Sequence, residues 1–493
     1  MKNYILTRIL KSIFSIFVVL SIVIVMLYTM IPTSSIFLND DGYRKLTGNA
    51  KIVYRYNKLE DLGYGEFKNL NDMCDSATDK EACLVFDSNE NKEVLKHYED
   101  LGYTIDLLNR EGDIPKQNYA YRDYNIVELL LNFYSSFIVI DHPNKIQDEN
   151  NPSLERNYSF DRTPNGGLAI TCSGCVSKYQ LYTDTKFPFL HQNIIELNFG
   201  KSYPTNQGVD TLEVISKGQG TFDKVEQTFP TGEVIDSPID QLTCKYKPEP
   251  DHLDAKRFDD NYANCLMYYE SPSMISTSYI FGVISVVLGY IIAIPFAVIM
   301  ARKRGKLFDK IGTVYINLLI ALPSLAFILI MKYLGSFATL PDKFPQYGFN
   351  DVRSYILPIL ILALLNTPGI MMWLRRYMID QSNADYIKFA KAKGLSDKEI
   401  YQNHILRNAI IPIVNGIPGS IILAISGAVI TETVFAIPGM GKMLPDSIKA
   451  TNNNMVITLV FIFTTLAILS VLLGDILMTK VDPRIKLTKK ENE

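Results

Sequence analysis

The chain has 493 residues, of which 47% are hydrophobic and 20% charged, and its formal net charge is −3. The 33–270 region holds 39 acidic and 24 basic residues, whereas the rest holds 13 acidic and 25 basic residues. The length allows several domains. The long apolar stretches exclude a protein that is soluble throughout, and the mildly acidic total gives no reason to expect nucleic acid as a partner.

Six apolar stretches are long enough to cross a hydrocarbon core of about 30 Å, which takes roughly 20 helical residues. The predicted spans are 12–31, 271–301, 311–331, 354–374, 408–431 and 455–474. The first is too long for the apolar part of a secretory signal, and no A-x-A-like cleavage site follows it. The sequence therefore predicts an α-helical membrane protein with six transmembrane helices.

Basic residues in the short flanks predict the orientation of these spans, because cytoplasmic flanks are enriched in Lys and Arg. One side carries 20 of them and the short loops on the other side carry five. We therefore predict that both termini and the 380–407 loop are cytoplasmic and that the 33–270 region is extracellular. The predicted domains are the tail and first span at 1–32, the extracellular domain at 33–270, the membrane core at 271–479 and the C-terminal tail at 480–493.

All six cysteines fall inside the 33–270 region, which indicates an oxidising compartment and disulfides. Six cysteines allow 15 pairings. Pairing between neighbours is our hypothesis, and it joins Cys74 to Cys83, Cys172 to Cys175 and Cys244 to Cys265. The C-x-x-C at 172–175 has an alternative interpretation as a redox or metal pair, which we disfavour because neither a βαβ context nor a second ligand pair accompanies it.

The extracellular region has frequent aromatic residues and alternating apolar residues, so we predict a mixed α/β fold. The stretches 211–216 and 221–229 flank a Gly-rich turn and predict a hairpin. Residues 93–101 predict a helix that ends at Gly102.

The 380–407 loop is polar and basic, and it predicts two short helices with a break between them. Ser382 with Asp385, and Ser396 with Glu399, fit the S-x-x-D/E pattern of a capping box. Gly394 is placed to end the first helix, because Gly adopts the left-handed cap conformation without steric cost.

This loop resembles the EAA loop of permease subunits in binding-protein-dependent ABC importers. Residues 388–390 (KFA) stand where the general motif has E-A-A, and His404 to Arg407 replace its I-x-L-P. These departures agree with the oligopeptide permease variant, since 390–396 (AKAKGLS) and 404–409 (HILRNA) match its A-x-A-K-G-L-S and H-x-L-R-N-A. In that family the loop is the coupling helix, which docks on the ATPase subunit.

Further segments resemble the same family. Residues 190–202 are similar to the stretch before its second span, and 431–442 (TETVFAIPGMGK) resembles its E-T-V-F-x-x-P-G-x-G. Asp475 and the 482–485 segment (DPRI) resemble its closing D and D-P-R-I. The large insertions around 190–202 are similar to those of Ami-type first permease subunits of Gram-positive bacteria, which carry an enlarged extracellular domain.

The resemblance implies a type I ABC importer permease fold, in which this chain supplies half a pore in the cell membrane. It implies a second permease subunit, two ATP-binding subunits that bind the ATP and Mg, an extracellular substrate-binding lipoprotein and oligopeptide cargo, with membrane lipid around the spans. The chain itself would bind no cofactor and hydrolyse no ATP.

The resemblance also implies roles for particular residues. Those expected at the ATPase contact are Ala390, Lys393, Gly394, Leu395 and Ser396, the last as a helix cap. Those expected in an outer gate are Glu432, Pro438, Gly439 and Gly441. An alternative for the second set is a charged span end followed by a re-entrant turn.

Two alternatives to this function remain open from the sequence. A membrane-anchored receptor or sensor would use the 33–270 region as its working part, and an ABC permease for dipeptides, metal chelates or haem would keep the scheme with another cargo. Residues 200–202 (GKS) echo a phosphate loop but lack the Gly that a Walker motif needs at Ile195. No H-E-x-x-H or G-x-S-x-G pattern occurs, so we expect no catalytic site.

Overall fold

A computed structural model describes residues 2–75, 77–110, 116–185, 189–425 and 428–481. The helices are α1 (Lys2–Met30), α2 (Thr33–Ile36), α3 (Asp41–Lys45), α4 (Gly48–Asp61), α5 (Leu70–Cys74), α6 (Lys80–Leu84), α7 (Asn89–Asp100), α8 (Ile126–Phe137), α9 (Thr211–Ser216), α10 (Asp254–Arg257), α11 (Met274–Arg302), α12 (Leu307–Ala321), α13 (Ser324–Phe337), α14 (Arg353–Ser382), α15 (Asp385–Ala392), α16 (Asp397–Glu399), α17 (Arg407–Ala409), α18 (Ile411–Ile425), α19 (Val429–Phe435), α20 (Met440–Lys449) and α21 (Asn453–Val481). A 3₁₀ turn covers Gln241–Thr243 and a π-helix covers Ile400–Leu406. The 482–485 motif lies outside the described residues.

The strands all lie between the first two long helices. They are β1 (Gly65–Lys68), β2 (Thr104–Leu108), β3 (Gln117–Asp123), β4 (Ile138–Ile140), β5 (Tyr158–Arg162), β6 (Leu168–Cys172), β7 (Tyr179–Thr183), β8 (Leu190–Gln192), β9 (Ile195–Leu197), β10 (Val225–Thr228) and β11 (Val234–Ser237). The sheet orders are β1-β3-β2 and β5-β6-β7-β8, and β4-β9 and β10-β11 form two-stranded ribbons. All of these pairs are antiparallel, so the mixed α/β fold predicted for this region is present.

Four helices of the described chain, α1, α11, α14 and α21, are long and apolar enough to cross a membrane alone. Two bent pairs, α12 with α13 and the 397–409 segment with α18, bring the number to six if each pair is one span. The span predicted over 311–331 is sharply bent, because α12 and α13 meet at 111°. Pro323 explains the break, since proline pushes the preceding residue out of the helical conformation, and Leu322 is extended.

The membrane core is built around α11 and α14, with α18 and α21 packed beside them. Small residues permit the close approach of these helices. A Cβ on Gly282 of α11 would lie 2.3 Å from the carbonyl oxygen of Ala424 in α18. Ser426 and Gly427, which directly follow α18, lie outside the described residues.

The 33–270 region contains three disulfides, which join Cys74 to Cys83, Cys172 to Cys175 and Cys244 to Cys265. Each joins cysteines that are neighbours in the sequence. Within the residues that the structure describes, no group of His, Cys, Asp and Glu side chains is placed to hold a metal ion.

Two local predictions in this region have opposite outcomes. The helix before Gly102 is confirmed as α7, and Gly102 has a φ of 86°. The hairpin of 211–216 with 221–229 is wrong, because 211–216 forms α9 while β10 pairs with β11. The apolar side chains Val214 and Ile215 of α9 are buried against α20 and α21, and this burial outweighs the β-propensity of the stretch.

The 33–270 region is hydrogen-bonded to the start of α21, mainly by asparagine side chains. The Asn452 side chain donates to the Ser202 hydroxyl at 2.8 Å, and the Asn454 side chain donates to the Lys201 carbonyl at 3.0 Å. Thr458 and Thr211 share a hydrogen bond of 2.8 Å. Because buried polar atoms are costly when unpaired, these bonds hold the segment 201–211 on the end of the last long helix.

Candidate coupling and gating sites

The first candidate site is the coupling segment, which we define as residues 385–409. Its first helix, α15, ends in a Schellman motif, in which two amides after the helix bond back to its last turn. The amide of Gly394 donates to the Lys391 carbonyl at 2.9 Å, and the amide of Leu395 donates to the Ala390 carbonyl at 3.3 Å. Gly394 has a φ of 77° and no atom within 4 Å of the place where a Cβ would lie. The predicted helix stop at Gly394 is therefore confirmed.

The second part of the coupling segment begins at Ser396, where the predicted capping box is confirmed. The Glu399 carboxylate accepts from the Ser396 amide at 2.9 Å, and the Glu399 amide donates to the Ser396 hydroxyl. The other predicted box is wrong. Ser382 belongs to the last turn of α14, where its hydroxyl donates to the Ile379 carbonyl, and Ala384 occupies the cap of α15.

One face of the coupling segment is buried against the long helices. Ile387, Ala390, Ile400 and Ile405 join a cluster that also contains side chains of α11, α12 and α14. Ile387, Ile400 and Ile405 are almost completely buried. This packing joins the segment to the ends of α11 and α14.

The other face of the coupling segment is open. Residues 391–399 are all exposed, and Phe389 is 71% exposed. Leu395, Lys393, Gly394 and Ser396 therefore lie on the accessible surface that the ATPase contact requires. Ala390 is only 6% exposed and lies beneath this surface. The exposed ring of Phe389 was not expected from the sequence, although a large apolar side chain in a polar loop is a usable signal.

A buried ion pair beside this segment was also missed from the sequence. The Arg375 guanidinium of α14 donates to both carboxylate oxygens of Asp309 in α12, at 2.6 and 2.9 Å. Asp309 also accepts from the Gly305 amide at 2.9 Å and is 4% exposed. A two-pronged pair of this kind fixes relative orientation as well as distance, so it joins the ends of α12 and α14. The signal in the sequence is that Asp309 is the only acidic residue among the basic residues of 302–310.

The second candidate site is an outer latch, which we define as Ser278, Glu432, Gly439 and the start of α20. Glu432 is 2% exposed, and its carboxylate accepts from the Ser278 hydroxyl at 2.9 Å and from the Lys442 amide at 2.7 Å. The Ser278 hydroxyl in turn accepts from the Met440 amide at 2.7 Å. Burial raises the pKa of Glu432, while the bonds from Lys442 and Ser278 oppose that shift. The Glu432 carboxylate belongs to α19 but lies at the start of α20, where the helix dipole stabilises a negative charge.

The turn between α19 and α20 brings its backbone against this carboxylate. Ala436 ends α19 with a φ of 57°, and the Ile437 amide donates to the Glu432 carbonyl at 2.8 Å. A Cβ on Gly439 would lie 2.3 Å from the Glu432 carboxyl carbon. A side chain at this position would displace the carboxylate, so the predicted gate residues Glu432 and Gly439 lie in close contact, and Pro438 and Gly441 flank them in the same turn.

The coupling segment and the outer latch lie at opposite ends of α11. Ser278 is near the first residue of that helix, and the cluster beneath the coupling segment includes Ala297 and Met300. Some twenty helical residues separate them, about 30 Å at 1.5 Å per residue. One helix thus reaches from the exposed loop at one end of the bundle to the latch at the other.

Comparison with known proteins gives consistent matches. Residues 293–487 match the family described as "Binding-protein-dependent transport system inner membrane component". The chain is 43% identical over 501 residues to "Oligopeptide transport system permease protein AmiC" of Streptococcus pneumoniae, with 99% of each chain covered. It is 31% identical over 237 residues to "Dipeptide transport system permease protein DppB" of Lactococcus lactis, covering 47% of this chain and 77% of that protein. A chain of the methionine ABC transporter MetNI is 16% identical and covers 42% of this chain and 94% of that chain at a TM-score of 0.36.

Proposed function

This chain belongs to the oligopeptide permease family of ABC transporters, and we propose that it forms half of the membrane path of a peptide importer. It is a multi-pass membrane protein and the permease component of an ABC importer, which works with ATPase subunits and is not itself an ATPase. ATP and Mg therefore belong to the partner subunits. Beyond this, we propose a coupling mechanism, further partners and an orientation in the membrane.

The observation that carries the mechanism is the two-faced coupling segment. Its exposed face presents Phe389 and Leu395, and its buried face packs on α11 and α14. We infer that ATPase subunits bind the exposed face and that their closure displaces the segment. The Asp309–Arg375 pair carries this movement to α12, and α11 carries it to the outer latch.

Polar side chains at membrane depth support a path along the core. Asn317 of α12 and Asn366 of α14 are exposed on the surface of this chain. Exposed polar groups within a bilayer face a water-filled path or a protein partner, because contact with lipid is costly. We propose that these faces meet a second permease subunit across the peptide path.

We propose that both termini and the coupling segment lie in the cytoplasm. The disulfide-bonded region then lies outside a Gram-positive cell. The relative in Streptococcus pneumoniae and the basic flanks support this arrangement. An extracellular lipoprotein would deliver the peptide, and the acidic 33–270 region would receive the lipoprotein or guide the peptide. If deletion of that region left uptake and lipoprotein binding intact, it would be a structural cover instead.

A pair of matched substitutions tests the ATPase contact. Phe389→Asp places a charge on the exposed face of the coupling segment, and Phe160→Asp does so in β5, where Phe160 is 90% exposed. Charge in the apolar part of an interface weakens binding. We expect Phe389→Asp to release the ATP-binding subunits during purification, while Phe160→Asp retains them. Retention of full ATPase content by Phe389→Asp would contradict the assigned contact.

A further inference from the structure

Helix α8 lies within the acidic 33–270 region but packs along the first long helix. The rings of Tyr134 and Phe17 are 4.7 Å apart, and the hydroxyls of Tyr134 and Ser21 share a hydrogen bond of 2.9 Å. At its other end, the Tyr124 amide donates to the Tyr64 carbonyl, and the ring of Tyr64 packs on Tyr28. Helix α8 therefore runs antiparallel to α1. Its start lies near residue 28 of α1, and Tyr134 lies beside residues 17–21.

This position is deep relative to the membrane. Ser21 lies nine residues before Met30, the last residue of α1, and Phe17 lies thirteen before it. At 1.5 Å per residue, these contacts are about 14 and 20 Å below the end of α1. With the outer edge of the hydrocarbon core set at the end of α1, half of the core is about 15 Å, and Tyr134 lies near the bilayer centre.

The outward face of α8 has the chemistry of a lipid-facing helix. Val127 and Leu131 are each 65% exposed, and no charged residue occurs from 129 to 140. The hydroxyls of Ser135 and Ser136 donate to the Asn132 carbonyl within the helix. Their hydrogen-bonding capacity is thereby met without water, as hydrocarbon surroundings require.

Two polar side chains of α8, those of exposed Asn132 and of Glu128, lie beside other parts of the 33–270 region. The Asn132 side chain lies beside the turn at Gly63. Glu128, in the first turn at the shallow end, accepts from the Arg122 guanidinium at 2.9 Å. The apolar surface continues past the helix, because Ile138 and Ile140 of β4 are each 56% exposed.

The opposite face of α8 is fixed to the membrane helices. Leu130, Phe133 and Phe137 pack on a cluster that includes Leu20 and Ile24 of α1. The ring of Phe137 also lies 5.8 Å from that of Phe461 in α21. The helix is therefore anchored at this depth by its own chain.

We propose that α8 is a half-span helix immersed in the outer leaflet, with lipid acyl chains covering Val127, Leu131 and Ile138. Lipid is favoured over a protein partner because the adjoining α1 is the least buried of the four long helices, with 11% of its most apolar window buried. Phe17 of α1, which is itself 47% exposed, contacts Tyr134 of α8. The region between the first two spans is thus held in the membrane as well as above it, whether or not the coupling mechanism is right.

Photo-crosslinking in membranes of the producing cell tests this proposal on the full transporter. A benzophenone amino acid replaces Val127 or Leu131 in separate variants, and the chain is examined by mass spectrometry after irradiation. Phe14 of α1, 67% exposed, is the membrane control, and Leu101, 53% exposed after the charged helix α7, is the aqueous control.

We expect Val127 and Leu131 to gain the mass of one phospholipid, as Phe14 does, and Leu101 to gain none. A crosslink from position 127 or 131 to another protein subunit would show that a protein, and not lipid, covers this face of α8. That result would overturn the proposal. So would the absence of lipid adducts at both positions when Phe14 gives them. Two separate positions are used so that the test does not depend on a single variant, which could fail to fold.

Discussion

The substitution Gly394→Glu tests whether Gly394 lies in a contact with the ATPase or matters only for the stability of the loop. Gly394 has a φ of 77° and open space around it. A residue with a side chain pays roughly 1–2 kcal/mol in the left-handed conformation. Gly166, in the turn between β5 and β6, has a φ of 82° and equally open space, so Gly166→Glu carries the same strain in the 33–270 region.

The two variants should therefore lose similar stability, about 1–2 kcal/mol, and differ in function. A carboxylate brought into an interface without a partner costs about 2–5 kcal/mol of binding, and every 1.4 kcal/mol is tenfold in affinity. We expect Gly394→Glu to reduce ATPase binding at least tenfold and to stop ATP-driven peptide uptake in proteoliposomes. Gly166→Glu should retain both.

Thermal unfolding of the two purified variants supplies the stability control. Normal uptake by Gly394→Glu at wild-type expression would refute the reasoning. Equal loss of uptake in both variants would assign the effect to backbone strain and remove the argument for a contact. Gly394→Ala, which keeps the strain without the charge, should retain more ATPase binding than Gly394→Glu.

Two further predictions concern the outer latch and acid stability. Gly439→Ala drives a methyl group into the Glu432 carboxylate and should cost about 1–3 kcal/mol, lowering both melting temperature and uptake. Gly416→Ala, with no atom within 4 Å, is its control, and a Gly439→Ala variant that melts like wild type would contradict the latch geometry. Burial of Asp40 would raise its pKa, but hydrogen bonds, chiefly from Tyr203, lower it to about 2. Its stabilisation is therefore present above the unfolded pKa near 4 and is lost as pH falls through about 2. Between about pH 5 and 2 the wild type should lose about 2 kcal/mol more than Asp40→Asn, as measured by chemical unfolding, and equal losses would show that Asp40 is not the cause.

Local rules predicted the parts of the coupling segment that depend on few neighbouring residues. A glycine helix stop and a capping box are satisfied within a few residues, and both Gly394 and Ser396 have the predicted geometry. The same rule failed at Ser382, because α14 continues through that residue. The S-x-x-D/E pattern alone does not show whether a long packed helix before it extends through its serine.

The remaining misses depend on contacts that are distant in sequence. Burial against α21 makes 211–216 a helix although its composition favours a strand. Pro323 was visible as a helix breaker, but the 111° angle follows from how α12 and α13 pack. Helix α8 escaped detection because twelve residues are too few to cross a bilayer, and its depth is set by contacts with Phe17 and Ser21.

The central claim is that this chain works as the permease half of an ATP-driven peptide importer. Gentle purification of the tagged chain from its own membranes, followed by mass spectrometry of the bound proteins, tests it most directly. The account predicts two ATP-binding subunits, a second permease and a substrate-binding lipoprotein. Recovery of the chain alone or with signalling proteins, under conditions in which a known importer stays intact, would contradict it and favour a membrane-anchored receptor.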